Sequence, residues 1–364
     1  QNLGPLNAAA VVFTTNRCQA NPVLWSKQVI ADGEVSAIAL NSGGANCYTG
    51  PQGFQTTHAT AERVAERLGV SAGDVLICST GLIGEQLDRE KVLAGVDAAV
   101  HALSDNGGFD ASEAIMTTDS KPKRSVRNGT GWSIGGMAKG AGMLAPGLAT
   151  MLVVITTDAH LNSDQVQEAL SEAVRGTFNR LDSDGCMSTN DQVTLMASGA
   201  SNLTPSQDDF TVALTQVCIS LATQLQQDAE GASHDITITV QGAASESDAE
   251  EVGRDGDRQQ HGHGTGAGHR GRVGLGRILE VVAGQRAERG GQLGAALVAE
   301  LLGMQLDRQA ELVGDRDGDA ALGLGHRGDL LLVQNVVAAD VGRLALHSTQ
   351  LVHNFLLVVR QRLG

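Results

Sequence analysis

The sequence predicts an α/β protein, because short β-rich runs alternate with amphipathic helical segments up to about residue 245. A second observation is the 41% content of hydrophobic residues in a chain of 364, which is enough to bury a substantial core. The predicted strands are runs rich in valine, isoleucine, leucine and threonine. They begin at Ala8, Val35, Asp74, Thr150, Asp191 and Asp235.

Three helices are predicted between these strands. In HATAERVAERLG, residues 58–69, the apolar residues recur at helical spacing. A second helix is predicted from Ser163, which suits the N-cap position, and a third from about Ser206 to a stop at Gly231. The apolar faces of these helices are expected to cover a sheet.

Composition excludes several classes of function. The net charge of −15 argues against a nucleic-acid partner, and we interpret the basic run Lys121 to Arg124 as a solvated loop. We find no apolar stretch of about 18 residues and no secretory signal, so no membrane partner is expected and the predicted location is the cytoplasm. The five cysteines form no CxxC motif, which predicts buried free thiols and no bound metal.

Both ends of the chain differ from its middle. The chain begins at Gln1 and reaches a predicted strand within a few residues, so we expect that an N-terminal piece is missing. Residues 251–364 hold 21 of the 46 glycines but no lysine, cysteine, proline, tryptophan or tyrosine. We interpret this tail as the product of a shifted or scrambled reading frame, and the coding DNA of the natural source would test that hypothesis.

The junction between Ala149 and Thr150 stands at the start of a predicted strand. Thr150 could simply be the first of several β-branched residues that suit a pleated surface. Alternatively, Thr150 is a nucleophile. Cleavage of the preceding peptide bond would free an α-amino group beside its hydroxyl, and that amine would serve as a built-in base.

Such a reaction needs donors that stabilise an oxyanion. The run CSTGLIG ends a predicted strand at Thr80 and Gly81, whose backbone N–H groups are candidates for these donors. The alternative is an ordinary turn from a strand to a helix. The glycine-rich run GGMAKGAGM, residues 135–143, is interpreted as a flexible connection, with a binding role as the alternative.

Seven motifs in order together resemble the ornithine acetyltransferase family of arginine biosynthesis, over about residues 8 to 250. They are NSGGAN from Asn41, CSTGLIGE from Cys78, IMTTD from Ile115, GGMAKGAGMLAP from Gly135, LATMLVVITTDA from Leu148, STND from Ser188 and QQDAEG from Gln226. The resemblance implies a layered αββα fold that is shared with self-cleaving aminopeptidases. It also implies cleavage at Ala149–Thr150 into an α-chain, residues 1–149, and a β-chain that begins at residue 150 and is matched to about 250. The two chains would remain together as an α2β2 assembly.

The resemblance also implies the site residues. Thr150 would carry acetyl from N2-acetylornithine to L-glutamate, Thr80 and Gly81 would form the oxyanion hole, and no cofactor is expected, although acetyl-CoA can serve some members as the donor. Thr117, Lys139 and Glu230 match substrate contacts; the ammonium of Lys139 would meet a carboxylate and Glu230 an amine.

The chain also departs from the family pattern. After ASESDAEEVGR, residues 244–254, neither the family's Asp-Pro-Asn-Trp-Gly-Arg segment nor its Asn-Ser-Ala-Tyr-Ser-Ser tail follows. Two alternatives to the transferase therefore stay open. One is a related self-cleaving amidohydrolase or aminopeptidase, in which water resolves the acyl-enzyme. The other is an inactive fragment of the transferase.

Overall fold

The computed structural model describes residues 1–143, 151–183 and 186–253. It also describes the backbone of four later strands, whereas the side chains of those strands and of residues 233–236 and 241 are outside the description. The chain divides into two compact units, Gln1–Glu230 and Gly231–Gly364. The predicted cleavage position, Ala149 and Thr150, and most of residues 251–364 lie outside the described residues.

The first unit contains eight of the described strands and all six of the α-helices that we number. The strands are β1 Ala8–Phe13, β2 Ala37–Asn41, β3 Val75–Ser79, β4 Lys123–Asn128, β5 Ser133–Lys139, β6 Leu152–Thr157, β7 Leu181–Asp182 and β8 Gln192–Ala197. The helices are α1 Asn21–Val29, α2 Gly50–Leu68, α3 Arg89–His101, α4 Gly108–Ala114, α5 Ser163–Arg175 and α6 Gln207–Gln227. Single 3₁₀ turns cover Ile30–Asp32, Ala72–Asp74 and Phe178–Arg180.

Two sheets form the centre of this unit. Five strands are ordered β1-β8-β6-β5-β4, and β6 runs parallel to β8 but antiparallel to β5. Strands β2 and β3 form a second, parallel pair. Ala9 and Val11 of β1 pack against Leu76 of β3 in one buried cluster, so the two sheets face each other.

Helices cover the outer faces of both sheets. Helix α6 packs on β4 and β5, where Val217 and Leu221 lie against Gly136, and α5 packs on β1 and β8. On the second sheet, Val75 and Ile77 of β3 share a buried cluster with Ala61, Val64 and Ala65 of α2. The layers are therefore helix, sheet, sheet and helix, as the family resemblance implied.

In the second unit β9, Ala232–Gln241, pairs in parallel with β10, Gly274–Val282. Strand β13, Leu356–Arg362, runs antiparallel to β9 and to β12, Leu331–Val333. Strand β11, Leu322–Leu324, is antiparallel to β12.

Several expectations about individual elements need correction. Asn162, and not Ser163, caps α5, because its side chain accepts from the amide of Gln165 in a capping box. The described part of the predicted strand at Thr150 begins at Leu152. Residues 135–139, expected in a flexible connection, belong to β5.

Two further corrections concern polar residues. In the run Lys121 to Arg124, Lys123 is the first residue of β4 and its side chain is fully buried. Of the five free cysteines, Cys18 and Cys186 are exposed, although all were expected to be buried.

Candidate active site

Thr80 and Gly81 directly follow β3. Thr80 is buried, and its amide donates to the carbonyl of Asn41 at 2.8 Å, which extends the pairing of β2 with β3. The expectation that the Thr80 amide is an open donor is therefore wrong, and its hydroxyl remains. The amide of Gly81 donates to no other residue within the described part of the chain.

Only glycine fits at position 81. Its φ is +125°, and a Cβ atom there would lie 2.9 Å from both the Cα and the amide nitrogen of Gly44. The backbone of the NSGGAN loop therefore lies directly against Gly81. The side-chain amide of Asn190 secures the same region, because it donates to the carbonyls of Ala45 and Ser79.

Lys139 ends β5, and its side chain is only 1% exposed. Its Nζ donates to Oγ1 of Thr80 at 3.0 Å, which joins two predicted site residues that are 59 positions apart. Burial removes water from this ammonium and lowers its pKa, and the charge of Lys123 adds to that effect. The carboxylates of Asp119 and Asp191 offset only part of the decrease.

Glu230 lies against the segment that follows Lys139. Its amide donates to the carbonyl of Ala141 at 2.7 Å, and a Cβ atom built on Gly142 would lie 3.0 Å from Oε2 of Glu230. Glu230 is an exposed residue. Thr117, also exposed, donates its amide to Asp119 at 3.0 Å. The four described segments that carry predicted site residues thus meet around residues 139–142.

Three charged side chains that sequence reasoning did not select lie beside these residues, and we call Asp119, Lys123 and Asp228 the ion cluster. The Nζ of Lys123 lies 2.7 Å from Oδ1 of Asp119 and 2.6 Å from Oδ2 of Asp228. Burial alone would raise the pKa of both carboxyl groups. The bonds from Lys123 and from backbone amides outweigh that effect and keep both pKa values below the usual range.

Asp191 is a further charged residue, which the sequence places at the start of a predicted strand and in the STND motif without a role at the site. Its side chain is completely buried. Oδ1 accepts the amide of Met151 at 3.0 Å, whereas Oδ2 has no hydrogen-bond partner among the described residues. Burial raises the pKa of Asp191 well above its usual value, and bonds from Ser188 and Met151 and the charge of Lys139 offset only part of that rise. The hydrogen bond from the Met151 amide to Asp191 fixes Met151, which is the first described residue after the predicted cleavage position.

A sequence model of the ArgJ family matches residues 3–260 of this chain. The chain belongs to the ArgJ family. Among curated members, it is 62% identical over 253 residues to the arginine biosynthesis bifunctional protein ArgJ of Streptomyces avermitilis. The matched stretch covers 70% of this chain and 66% of that relative. The protein of the same name from Mycobacterium leprae is 54% identical over 256 residues, and that match covers 68% of this chain and 63% of the relative.

Two matches to solved structures cover a smaller share of this chain. Ornithine acetyltransferase from Mycobacterium tuberculosis, complexed with ornithine, is 52% identical and covers 39% of this chain and 78% of its own, with a TM-score of 0.38. A β-aminopeptidase from a Burkholderia species is 15% identical, and the match covers 61% of this chain and 74% of the aminopeptidase chain, with a TM-score of 0.37. The chain matches just under two thirds of the length of the curated ArgJ proteins named above.

Two kinds of feature are absent from the described residues of this ArgJ-family chain. No group of three or more histidine, cysteine, aspartate or glutamate side chains there is arranged to hold a metal ion. None of the helices in that part combines the length and the apolar character that a membrane crossing requires.

The raised pKa of Asp191 leads to a prediction for stability against pH. Between the usual pKa of 3.8 and the raised native pKa, the folded chain holds a proton that the unfolded chain has released. The free energy of unfolding therefore falls as pH rises through this window, by up to about 1.4 kcal/mol per pH unit from this group. An asparagine side chain does not titrate, so the stability of the wild type relative to Asp191→Asn is expected to decrease as pH rises from about 4.

Urea unfolding of both proteins between pH 4 and pH 8 measures this difference. Asp119 and Asp228, whose pKa values are lowered, contribute the opposite slope, but they do so equally in both proteins. Asp209→Asn, an exposed change on α6, is the matched control for the loss of one carboxylate. Parallel stability curves for wild type and Asp191→Asn would contradict the assignment of a raised pKa.

Proposed function

We propose that this chain is a glutamate N-acetyltransferase that moves acetyl from N2-acetylornithine to L-glutamate through an acetyl-threonine at Thr150. Its membership of the ArgJ family and the names of its relatives support this activity. The single observation that carries the proposal is the contact of Lys139 Nζ with Thr80 Oγ1, which joins two predicted site residues; Gly81, next to Thr80, and Glu230 are exposed residues.

Maturation would begin with attack of the Thr150 hydroxyl on the carbonyl carbon of Ala149. The C–N bond breaks, an ester forms at the threonine oxygen, and the nitrogen gains a proton as the new α-amine. Water then hydrolyses the ester, which leaves a carboxylate on Ala149 and a free hydroxyl on Thr150. The freed amine has a reference pKa of about 7.7 to 8.0, which suits a general base near neutral pH.

Transfer would repeat the same chemistry with a substrate. The Thr150 hydroxyl attacks the acetyl carbonyl of N2-acetylornithine while its proton passes to the new α-amine. The C–N bond breaks, and ornithine leaves with that proton on its nitrogen. The amine of glutamate then attacks the acetyl-threonine ester, the C–O bond breaks, and the threonine oxygen recovers a proton from the attacking amine.

The described residues suit the charges that these steps create. Because the Thr80 hydroxyl accepts a bond from Lys139, its own proton is available for an oxyanion, together with the N–H of Gly81. Lys139 uses one of its three N–H donors on Thr80, and with no further bond from Nζ to the described residues the others would meet a substrate carboxylate. Glu230 would hold an amine of the amino acid at the opposite end.

The proposal extends to assembly and location. The two cleaved chains would remain together as α2β2 in the cytoplasm, and acetyl-CoA would serve as an alternative acetyl donor. Thr117 completes the proposed substrate contacts. We assign no resident metal or cofactor to these steps, because the threonine hydroxyl, its amine and the hydrogen-bond donors supply the chemistry.

A denaturing gel followed by an acetyl-transfer assay tests the function. Cleavage of the 37.6 kDa chain after Ala149 should give bands of about 15 and about 22 kDa, in proportion to residue number. The cleaved protein should release ornithine from N2-acetylornithine in a manner that depends on glutamate. Release that ignores glutamate would instead identify a hydrolase, and one uncut band without transfer would identify an inactive fragment.

A further inference from the structure

The ion cluster has no role in the proposed chemistry, yet it occupies the centre of the predicted substrate contacts. Lys123 opens β4, Asp119 lies in the segment between α4 and β4, and Asp228 follows the last residue of α6. The side chains of Lys123 and Asp119 are fully buried and that of Asp228 is 7% exposed. Two separate parts of the chain, residues 119–123 and the end of α6, are therefore joined by one buried ammonium.

Each carboxylate of the ion cluster also holds the backbone near a predicted contact residue. Asp119 accepts the amide of Gly140 at 2.6 Å, directly after Lys139, and the amide of Thr117 at 3.0 Å. Asp228 accepts the amide and the hydroxyl of Ser120, which follows Asp119. The segments that carry Thr117 and Lys139 are consequently fixed to one carboxylate.

The other carboxylate lies close in sequence to Glu230, at the opposite end of the predicted substrate contacts. Asp228 stands two residues before Glu230, whose amide is bonded to Ala141. Besides this direct bond, a second path from the Lys139 backbone to Glu230 runs through Gly140, Asp119, Lys123 and Asp228, all joined by hydrogen bonds or covalent neighbours. The segments that carry a cationic and an anionic side chain are therefore connected twice.

Stability alone gives little reason for such an arrangement. Removing charges from water is costly, and well-packed apolar side chains of similar volume often stabilise a fold as well or better. A buried ion cluster does, however, fix geometry closely, because each carboxylate oxygen has a set direction to its donors. A site for a dipolar ligand needs that accuracy, since displacement of about 1 Å can cost two orders of magnitude in rate.

We propose that the ion cluster is a positioning device that sets the distance between Lys139 and Glu230 for a dipolar amino acid with a second amine. Asp228 is a positioning residue in this arrangement, because it acts through Lys123 and Glu230 without touching the ligand. The inference rests on the proposed function and specifies how its substrate pocket is held.

The test is Asp228→Asn, measured by two readouts on the full chain. Asparagine keeps the size of the side chain and an oxygen that can accept from Ser120, but it loses the ionic bond to Lys123, which retains Asp119. Self-cleavage on a denaturing gel should be unchanged, because Thr80, Gly81 and Lys139 keep their contacts. The calorimetric dissociation constant for L-ornithine should rise by about ten-fold.

Two further variants make the result decisive. Asp209→Asn removes the same charge from the start of α6, far from the ion cluster in sequence, and should bind L-ornithine like the wild type. Asp228→Glu keeps the charge but lengthens the side chain by one methylene, and it should also weaken binding if geometry is what matters. It serves as the test if Asp228→Asn does not fold.

Wild-type affinity for L-ornithine in a folded Asp228 variant would overturn the inference. Equal loss of cleavage and of thermal stability in both variants would also overturn it, because that result indicates a structural role alone. A wild-type chain that cleaves and binds leaves the proposed function standing in either case. A wild-type chain that neither cleaves nor binds L-ornithine would overturn the proposed function and this inference together.

Discussion

Replacing Thr150 with alanine is expected to leave a single uncut chain of 37.6 kDa and to abolish acetyl transfer. Alanine removes the hydroxyl that would attack both the Ala149 carbonyl and the acetyl group, and without cleavage no α-amine is freed at position 150. Loss of a nucleophile commonly costs several orders of magnitude in rate, up to about 10⁶-fold. A denaturing gel and an assay of glutamate-dependent ornithine release measure both effects.

Two further variants serve as controls for Thr150→Ala. Thr156→Ala makes the same substitution at an exposed position of β6 and should cleave like the wild type. Thr150→Ser keeps a hydroxyl and should still cleave. If Thr150→Ala still yields two bands, the nucleophile is a different residue and the proposed mechanism is wrong.

Replacing Lys123 with methionine is expected to destabilise the first unit by about 3 to 5 kcal/mol. The Lys123 side chain is fully buried between Asp119 and Asp228, so methionine would leave two carboxylates close together without their shared cation. Removing one partner of a buried ionic pair costs far more than the pair contributes relative to apolar packing. Urea unfolding at neutral pH measures the change.

Lys91→Met is the matched control, because Lys91 pairs with Asp88 on the surface and its side chain is 85% exposed. Water and salt screen such a pair, so little change in the free energy of unfolding is expected. A loss of stability for Lys123→Met no larger than that for Lys91→Met would show that Lys123 is not the buried partner described here. Lowering the pH through the usual carboxyl pKa should reduce the difference between wild type and Lys123→Met. The wild type then loses the stability that its lowered carboxyl pKa values provide, whereas in the variant Asp119 and Asp228, without their cation, take up protons more readily.

Periodicity identified the elements that have a strongly one-sided or wholly apolar pattern. The strands predicted from Ala8, Asp74 and Asp191 correspond to β1, β3 and β8, and α5 and α6 lie where their apolar stripes placed them. Strands β4 and β5 were missed. Their sequences, KRSVRN and SIGGMAK, carry charges and glycines that are poor strand formers, and only pairing with neighbouring strands makes them strands.

At the candidate site, the motifs selected residues, whereas the contacts between those residues depend on the tertiary structure. Motif resemblance selected Thr80, Lys139 and Glu230, but not the contacts among them. The use of the Thr80 amide by Asn41 depends on the register of β2 with β3, which no local pattern specifies. The sequence placed Asp191 in a predicted strand and a motif but gave it no role at the site, because its burial and its bond to Met151 depend on the pairing of β6 with β8.

The amino-acid sequence by itself determined the α/β class and several of the main helices and strands, because these features depend on residue type and on spacing along the chain. The same reasoning made Thr80, Gly81 and Thr150 candidate site residues, whereas Thr117, Lys139 and Glu230 became candidates only through the family resemblance. Only the tertiary structure decided that Lys139 meets Thr80, that Lys123 is buried and that Asp119 and Asp228 share its charge. A side chain's burial and its partners are set by segments tens of residues away, so the same lysine can be a solvated charge or the centre of a buried ion cluster.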